Sequence, residues 1–153
     1  MRNRKFYLFV LAGLLFLVLL SMGNGIWGKS GYDYNMIYRT FGSVCHQIPD
    51  RSFKINDVQM AVNTRCFGIF TGLLAGWILI PFLAKITKEK KWPEILLGVA
   101  LVLQISDYTG NMLDIWENTN ESRFALGFLL GSAASVFLSD TFLTGNKKNG
   151  NHE

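Results

Sequence analysis

The chain has 153 residues, half of them hydrophobic, and carries a formal charge of +4. Its mean hydropathy is positive and its apolar residues come in blocks, which excludes an ordinary soluble domain of this length. The Lys and Arg residues sit beside those blocks, where membrane topology demands them, so the basic balance does not point to nucleic acid.

Residues 6–22 form an apolar run preceded by Arg2, Arg4 and Lys5. The run is long enough to cross the hydrocarbon core with slight thinning. It exceeds the apolar core of a usual signal peptide and no small-x-small site follows it cleanly, so it reads as a retained helix rather than a cleaved leader. Glycines within 23–28 then break the helix. Tyr34, Ile37, Tyr38, Phe41 and Cys45 follow at spacings of three and four, which predicts a short helix with one apolar face. Tyr32, Tyr34 and Tyr38 suit the headgroup layer, so this helix is expected to lie at the membrane interface and to deliver Cys45 and His46 at its end, before Pro49-Asp50.

Phe53, Ile55, Val58, Met60 and Val62 alternate around Asn56-Asp57, a pair able to supply the positive φ angles of a two-residue hairpin turn. In that register residue 55 faces 58 and 53 faces 60. Extending it sets 47 opposite 66 and gathers Cys45, His46 and Cys66.

Residues 67–84 are predicted as the second span, with Gly68, Gly72 and Gly76 along one face. A third span covers 94–112, after Pro93. The fourth, 124–143, repeats the spacing with Gly127, Gly131, Ser135 and Ser139. Small groups every four residues let backbones approach, so the second and fourth spans are expected to pack closely. Four crossings in a single membrane domain over 1–153 place Arg2, Arg4, Lys5, the loop of Lys85, Lys88, Lys90 and Lys91, and the tail 144–153 on one side. The bias of Lys and Arg makes that side the cytoplasm of a cell membrane. The loop 23–66 and the loop with Asp114, Glu117 and Glu121 then face outward. Each ends in an arginine, Arg65 or Arg123, which is either a faint internal repeat or a chance likeness.

Gln104, Asp107, Asn111 and Asp114 are spaced as one polar stripe on the third span. Asp107 falls near the outer boundary of the hydrocarbon, where a lone carboxylate is costly, so it is expected inside the bundle against Arg65 or Arg123. Such a pair either fixes helix register or belongs to a site. Arg39, Arg51, Arg65 and Arg123 all fall on the outward side, against the usual bias. Guanidinium forks suit phosphate or carboxylate, and Asn118-Thr119-Asn120 can cap a helix whose free N–H groups favour an anion. The alternative is that each arginine meets its own acid among Asp33, Asp50, Asp57, Asp107 and Glu117.

Cys45, His46 and Cys66 admit three readings. A disulfide would close a loop and stabilise by about 3 kcal/mol in the chain-entropy model. A metal ion held by Cys45, His46 and Cys66, with Asp107 as a further ligand, is the second. A thiol redox pair is the third, although no Cys-x-x-Cys is present. Ser-His-Asp order, a phosphate-binding glycine loop and His-Glu-x-x-His are also lacking, and Ser52 has only His46 for a base.

At these residues the chain resembles a family of small prokaryotic membrane proteins described as a domain of unknown function, with a Cys-His-Gln … Arg-Ser-Phe … Arg-x-Cys-x-Gly-Ile-Tyr pattern. The matching residues are Cys45, His46, Gln47, Arg51, Ser52 and Phe53, then Cys66, Gly68 and Ile69, with Phe70 where tyrosine is usual. The family often has Cys-x-Arg-Cys before the glycine, whereas Asn63 stands at the first of those positions here. An Asp, Asn, Arg and Gly of the family are similar to Asp107, Asn118, Arg123 and Gly127. The resemblance covers most of the chain after the first helix and implies no mechanism.

The expected protein is all-α and polytopic, with four transmembrane helices. Its outward site draws on Cys45, His46, Gln47, Arg51, Ser52, Arg65, Cys66, Asp107, Asn111 and Arg123. That site is expected to bind a metal ion or an anionic, phosphate-bearing or lipid-linked ligand, beside the bilayer itself. The competing class is a structural or interaction protein with a Cys45–Cys66 disulfide and no catalytic site.

Overall fold

A computed structural model describes residues 4–23, 32–86 and 91–144. The helices are α1 (Arg4–Ser21), α2 (Tyr32–Gly42), α3 (Thr64–Ile86), α4 (Trp92–Met112) and α5 (Asn120–Thr144). Between α2 and α3 lie a single 3-10 turn, Pro49–Arg51, and a hairpin of β1 (Lys54–Ile55) with β2 (Val58–Gln59). Four helices, α1, α3, α4 and α5, are long and apolar enough to cross a membrane. Phe9, Phe16, Val102 and Ile105 project outward from α1 and α4, as side chains facing lipid do.

The closest packing is between α3 and α5, and the absence of side chains makes it. A Cβ on Gly68 would meet the Phe124 carbonyl oxygen at 2.3 Å, and one on Gly72 the Phe128 carbonyl oxygen at 2.2 Å. From the other helix, a Cβ on Gly127 or Gly131 would strike the Arg65 or Ile69 carbonyl oxygen. Ser132 Oγ adds a hydrogen bond to the Gly72 carbonyl at 3.2 Å. The opposite face of α3 receives α1, where Tyr7 and Trp77 stack with centroids 5.8 Å apart. Each donates to the other's carbonyl, Tyr7 Oη at 3.3 Å and Trp77 Nε1 at 3.2 Å.

The segment between α2 and α3 caps one end of this bundle. Its turn residues Asn56 and Asp57 have φ of 51° and 60°, and the ladder pairs Ile55 with Val58 and Lys54 with Gln59. The Met60 N–H donates to the Phe53 carbonyl, so the hairpin has the register that alternation predicts. Phe53 packs on Phe124 of α5, and Asn120 Nδ2 donates to the Asp50 carbonyl, tying the cap to that helix. The Ala61 N–H donates to the Ser21 carbonyl, tying it to α1. Phe41, Cys45, Ala61 and Val62 form the buried core beneath the cap.

Two expectations are corrected here. The helix that was to deliver Cys45 stops at Gly42, three residues early, so Pro49-Asp50 does not end it. The Cys45 N–H still donates to the Phe41 carbonyl, but the chain then turns and Gln47 takes a positive φ of 50°. The ladder also does not extend to set 47 opposite 66. Proline lacks the N–H a ladder needs, and the 3-10 turn at Pro49 absorbs residues on one side only. Gln47 lies instead across from Gln59 and Ala61, bonded to both. The side chains of Tyr32, Tyr34 and Lys85, the lysines at 88 and 90, and the tail beyond 144 lie outside the described residues.

Candidate functional site

Helices α3 and α5 begin, and α4 ends, on the capped side of the bundle, so one level gathers the first turn of two helices and the last of a third. Asp107 Oδ2 accepts from Arg65 Nη2 at 2.5 Å and from Asn118 Nδ2 at 2.7 Å. The Arg65 and Asp107 side chains are 21% and 12% exposed, so the pair is largely withdrawn from water.

Asn118 reaches Asp107 because the chain folds back after α4. The Leu113 N–H bonds back to the Thr109 carbonyl, Asp114 takes φ of 54°, and the Ile115 N–H returns to the Gly110 carbonyl. The Trp116 indole then lies on Gly110, where a Cβ would sit 2.0 Å from its ring. Asn111 Nδ2 donates to the Trp116 carbonyl at 3.3 Å. Thr119, not Asn118, caps α5, its Oγ1 accepting from the Ser122 N–H at 3.2 Å. Asn118 is thereby free to serve the carboxylate. In the sequence its place among cap-type residues pointed to a different task, and the family resemblance set it beside Asp107 without a role.

A cavity of about 360 Å³ opens beside this pair. Its polar wall holds Arg51, Arg65, Arg123, His46, Asn63 and Asn111, and its sulfur wall Cys45 and Cys66. Val44, Tyr108 and Met112 complete it, and all three are well exposed. No Asp or Glu lines it. Among the described residues Arg65–Asp107 is the one ion pair, so Arg51 and Arg123 have no carboxylate of their own. Arg123 is partly buried, makes a long contact of 3.4 Å with Asn120 Oδ1, and feels the like charges of Arg51 and Arg65 as well as the opposite charge of Asp107.

Of the residues singled out in the sequence, Gln47 and Ser52 stand apart from the cavity. Gln47 Nε2 donates to the Tyr38 and Ala61 carbonyls at 2.7 and 2.9 Å, bracing α2 against the chain entering α3. Ser52 is buried, its hydroxyl donating to the Ile48 carbonyl at 2.8 Å and receiving Gln59 Nε2. Both are occupied in holding the cap. Tyr38 Oη likewise donates to the Gln59 carbonyl.

The two thiols are unbonded in this structure, and the Cys66 side chain is within hydrogen-bonding reach of Cys45. Cys45 is buried, and its Sγ accepts the Asn63 N–H at 3.2 Å. The hydrogen bond from Cys66 is the main reason the Cys45 thiol titrates well below its ordinary value. Burial opposes the shift, while the Asn63 and Gln47 N–H groups and the nearby His46 reinforce it. Among the described residues no three His, Cys, Asp or Glu side chains gather in a set able to hold a metal ion.

The model of a family described as "Predicted membrane protein (DUF2085)" matches residues 45–137. The chain belongs to this family. The match begins at Cys45 and takes in most of the cap, every cavity residue but Val44, and all of α3 and α4. An uncharacterized protein of Methanocaldococcus jannaschii, MJ1492, is 34% identical over 146 residues, spanning 91% of this chain and 94% of its own. No solved structure gives a significant match.

Proposed function

We propose that this membrane protein binds a phosphate-bearing anion, from a lipid headgroup or from free phosphate, in the arginine-lined cavity at the outward face of the cell membrane. The observation that carries the reading is the wall itself: three guanidiniums line one small cavity that no carboxylate enters. Like charges held together in a half-buried space repel, and an anion relieves that cost while accepting bidentate hydrogen bonds. The same charges disfavour a metal ion, whose ligands here would be two sulfurs and an imidazole beside three cations. The exposed Val44, Tyr108 and Met112 at the rim suit the chain of a lipid-linked ligand.

The outward assignment rests on the basic residues. Arg4 and Lys5 begin α1 and Lys91 precedes α4, all at the end of the bundle opposite the cap. The bias of such residues puts that end, with both termini, in the cytoplasm.

The test is a thermal-shift titration of purified protein in neutral detergent with inorganic phosphate, short-chain phosphatidic acid and phosphatidylcholine. Saturable stabilisation by phosphatidic acid alone identifies a lipid source, and stabilisation by inorganic phosphate a free one. Arg123→Gln should abolish either. No response to either phosphate compound, or an equal response in Arg123→Gln, sinks the reading.

A further inference from the structure

The whole chain has two cysteines, twenty-one positions apart, and the fold places both on the wall of the arginine-lined cavity. Their surroundings are unequal. Cys45 Sγ takes the Asn63 N–H at 3.2 Å and lies within reach of the Cys66 thiol, so it is held by a backbone donor from outside the pair. Cys66 lies beside it on the cavity wall, in the first turn of α3. A sulfur that accepts a backbone N–H from outside the pair is stabilised as an anion, and its neighbour on the same wall is placed to resolve what forms on it. A packing pair of thiols would need neither this asymmetry nor an opening to a charged cavity.

We propose that Cys45 and Cys66 are a redox-active dithiol that exchanges with anionic disulfides held by Arg51 and Arg123, with Cys45 the attacking sulfur and Cys66 the resolving one. This inference rests on the reading of the cavity as an anion site and names the class of compound that reacts there. Cys45 Sγ attacks one sulfur of the bound disulfide. The S–S bond of that compound breaks, a mixed disulfide forms on Cys45, and one thiolate leaves. Cys66 then releases its proton and attacks the Cys45 sulfur, the mixed disulfide breaks, and a second thiolate leaves. The protein dithiol is oxidised by two electrons and the bound disulfide is reduced to two thiols, which take up the protons given by Cys45 and Cys66. The guanidiniums hold the acidic groups of the substrate. The low titration of the Cys45 thiol agrees with its part in the first step.

The experiment uses the reduced full-length protein in neutral detergent, with dianionic 5,5′-dithiobis(2-nitrobenzoate) and neutral 4,4′-dithiodipyridine as paired probes. The wild type should release two equivalents of chromophore per chain and retain no adduct. Cys66→Ser should release one equivalent and keep the adduct on Cys45. Cys45→Ser keeps an acceptor for the Asn63 N–H, and its remaining thiol should react about tenfold slower or worse. Arg51→Gln with Arg123→Gln should slow the dianionic probe at least about tenfold and leave the neutral one unchanged. Stable adducts on both sulfurs of the wild type, or equal rates in the two serine variants, overturn the dithiol assignment. Equal slowing of both probes by the arginine changes overturns the choice of anionic disulfides. Inorganic phosphate titrated against the Cys45→Ser, Cys66→Ser double variant separates the two readings: binding there with failed exchange leaves the anion site standing and removes this inference alone.

Discussion

Arg65 and Asp107 come from different helices, and the guanidinium of one meets the carboxylate of the other at 2.5 Å. Arg65 opens α3 and Asp107 stands near the end of α4, so the contact fixes the level at which those helices cross. It also consumes one arginine of the cavity wall and leaves Arg51 and Arg123 for a ligand.

Breaking this pair should be costly because neither partner is well solvated. Asp107→Ala leaves the Arg65 charge and the Asn118 amide without their shared acceptor, and we expect a loss of about 2–4 kcal/mol. Arg65→Ala should cost a comparable amount, and the double variant less than the sum, with coupling of about 0.5–3 kcal/mol. Thermal or denaturant unfolding in detergent measures this. Strict additivity would mean that the two side chains do not stabilise one another.

Gly72 and Gly98 make a matched pair. A Cβ at Gly72 would stand 2.2 Å from a backbone oxygen of α5, which cannot move without its helix, whereas nothing lies within 4 Å of one at Gly98. Gly72→Ala should therefore push α3 and α5 apart and lower stability by about 1–3 kcal/mol or more. Gly98→Ala should be neutral or gain up to about 1 kcal/mol from helix propensity. Equal melting temperatures for the two variants would contradict the packing described.

The spans were legible in the sequence because apolar blocks of sufficient length have few other fates, and the hairpin because Asn56-Asp57 tolerates the positive φ its turn requires. What could not be read were the places where tertiary contacts redirect the backbone. Gln47 adopts φ of 50° because its side chain is pulled between the Tyr38 and Ala61 carbonyls. That turn, with the 3-10 turn after it, undoes the extended register. Asn118 looked like a cap residue, and its role depends on Trp116 seating on Gly110, a contact that no local pattern announces. His46 and Ser52 illustrate the same limit, for one lines the cavity and the other is buried in the cap.

Orientation can be checked directly. In a cysteine-free background, a thiol introduced at Glu117 should react with an impermeant maleimide added to intact cells, and one at Lys91 should not. Both positions are exposed, so access to reagent is decided by the side of the membrane. The expectation follows from the basic residues at the Lys91 end of the bundle. Labelling at Lys91 alone would place the cavity in the cytoplasm and end the outward assignment.

The last prediction concerns the acidity of Cys45. Its thiol titrates below the ordinary value of 9.0, chiefly because the Cys66 side chain hydrogen-bonds to it, with help from the Asn63 and Gln47 N–H groups and His46. The thiolate is the form that alkylates, so a lowered value moves the rate profile toward acid. The reaction of Cys45 with iodoacetamide should already be near its plateau at neutral pH, where an ordinary thiol is mostly protonated. The rate should fall only as the solution is made acidic. Replacing the main cause should reverse the shift: in Cys66→Ala the donor is gone while burial, which disfavours the charge, remains. The midpoint of the Cys45 profile should then move upward. Cys66→Ser, which keeps a donor, should fall between the two. Peptide mapping of the alkylated site at each pH assigns the rate to Cys45. A midpoint near 9 in the wild type, or one unmoved by Cys66→Ala, would show that the contact between the two sulfurs does not govern the thiol.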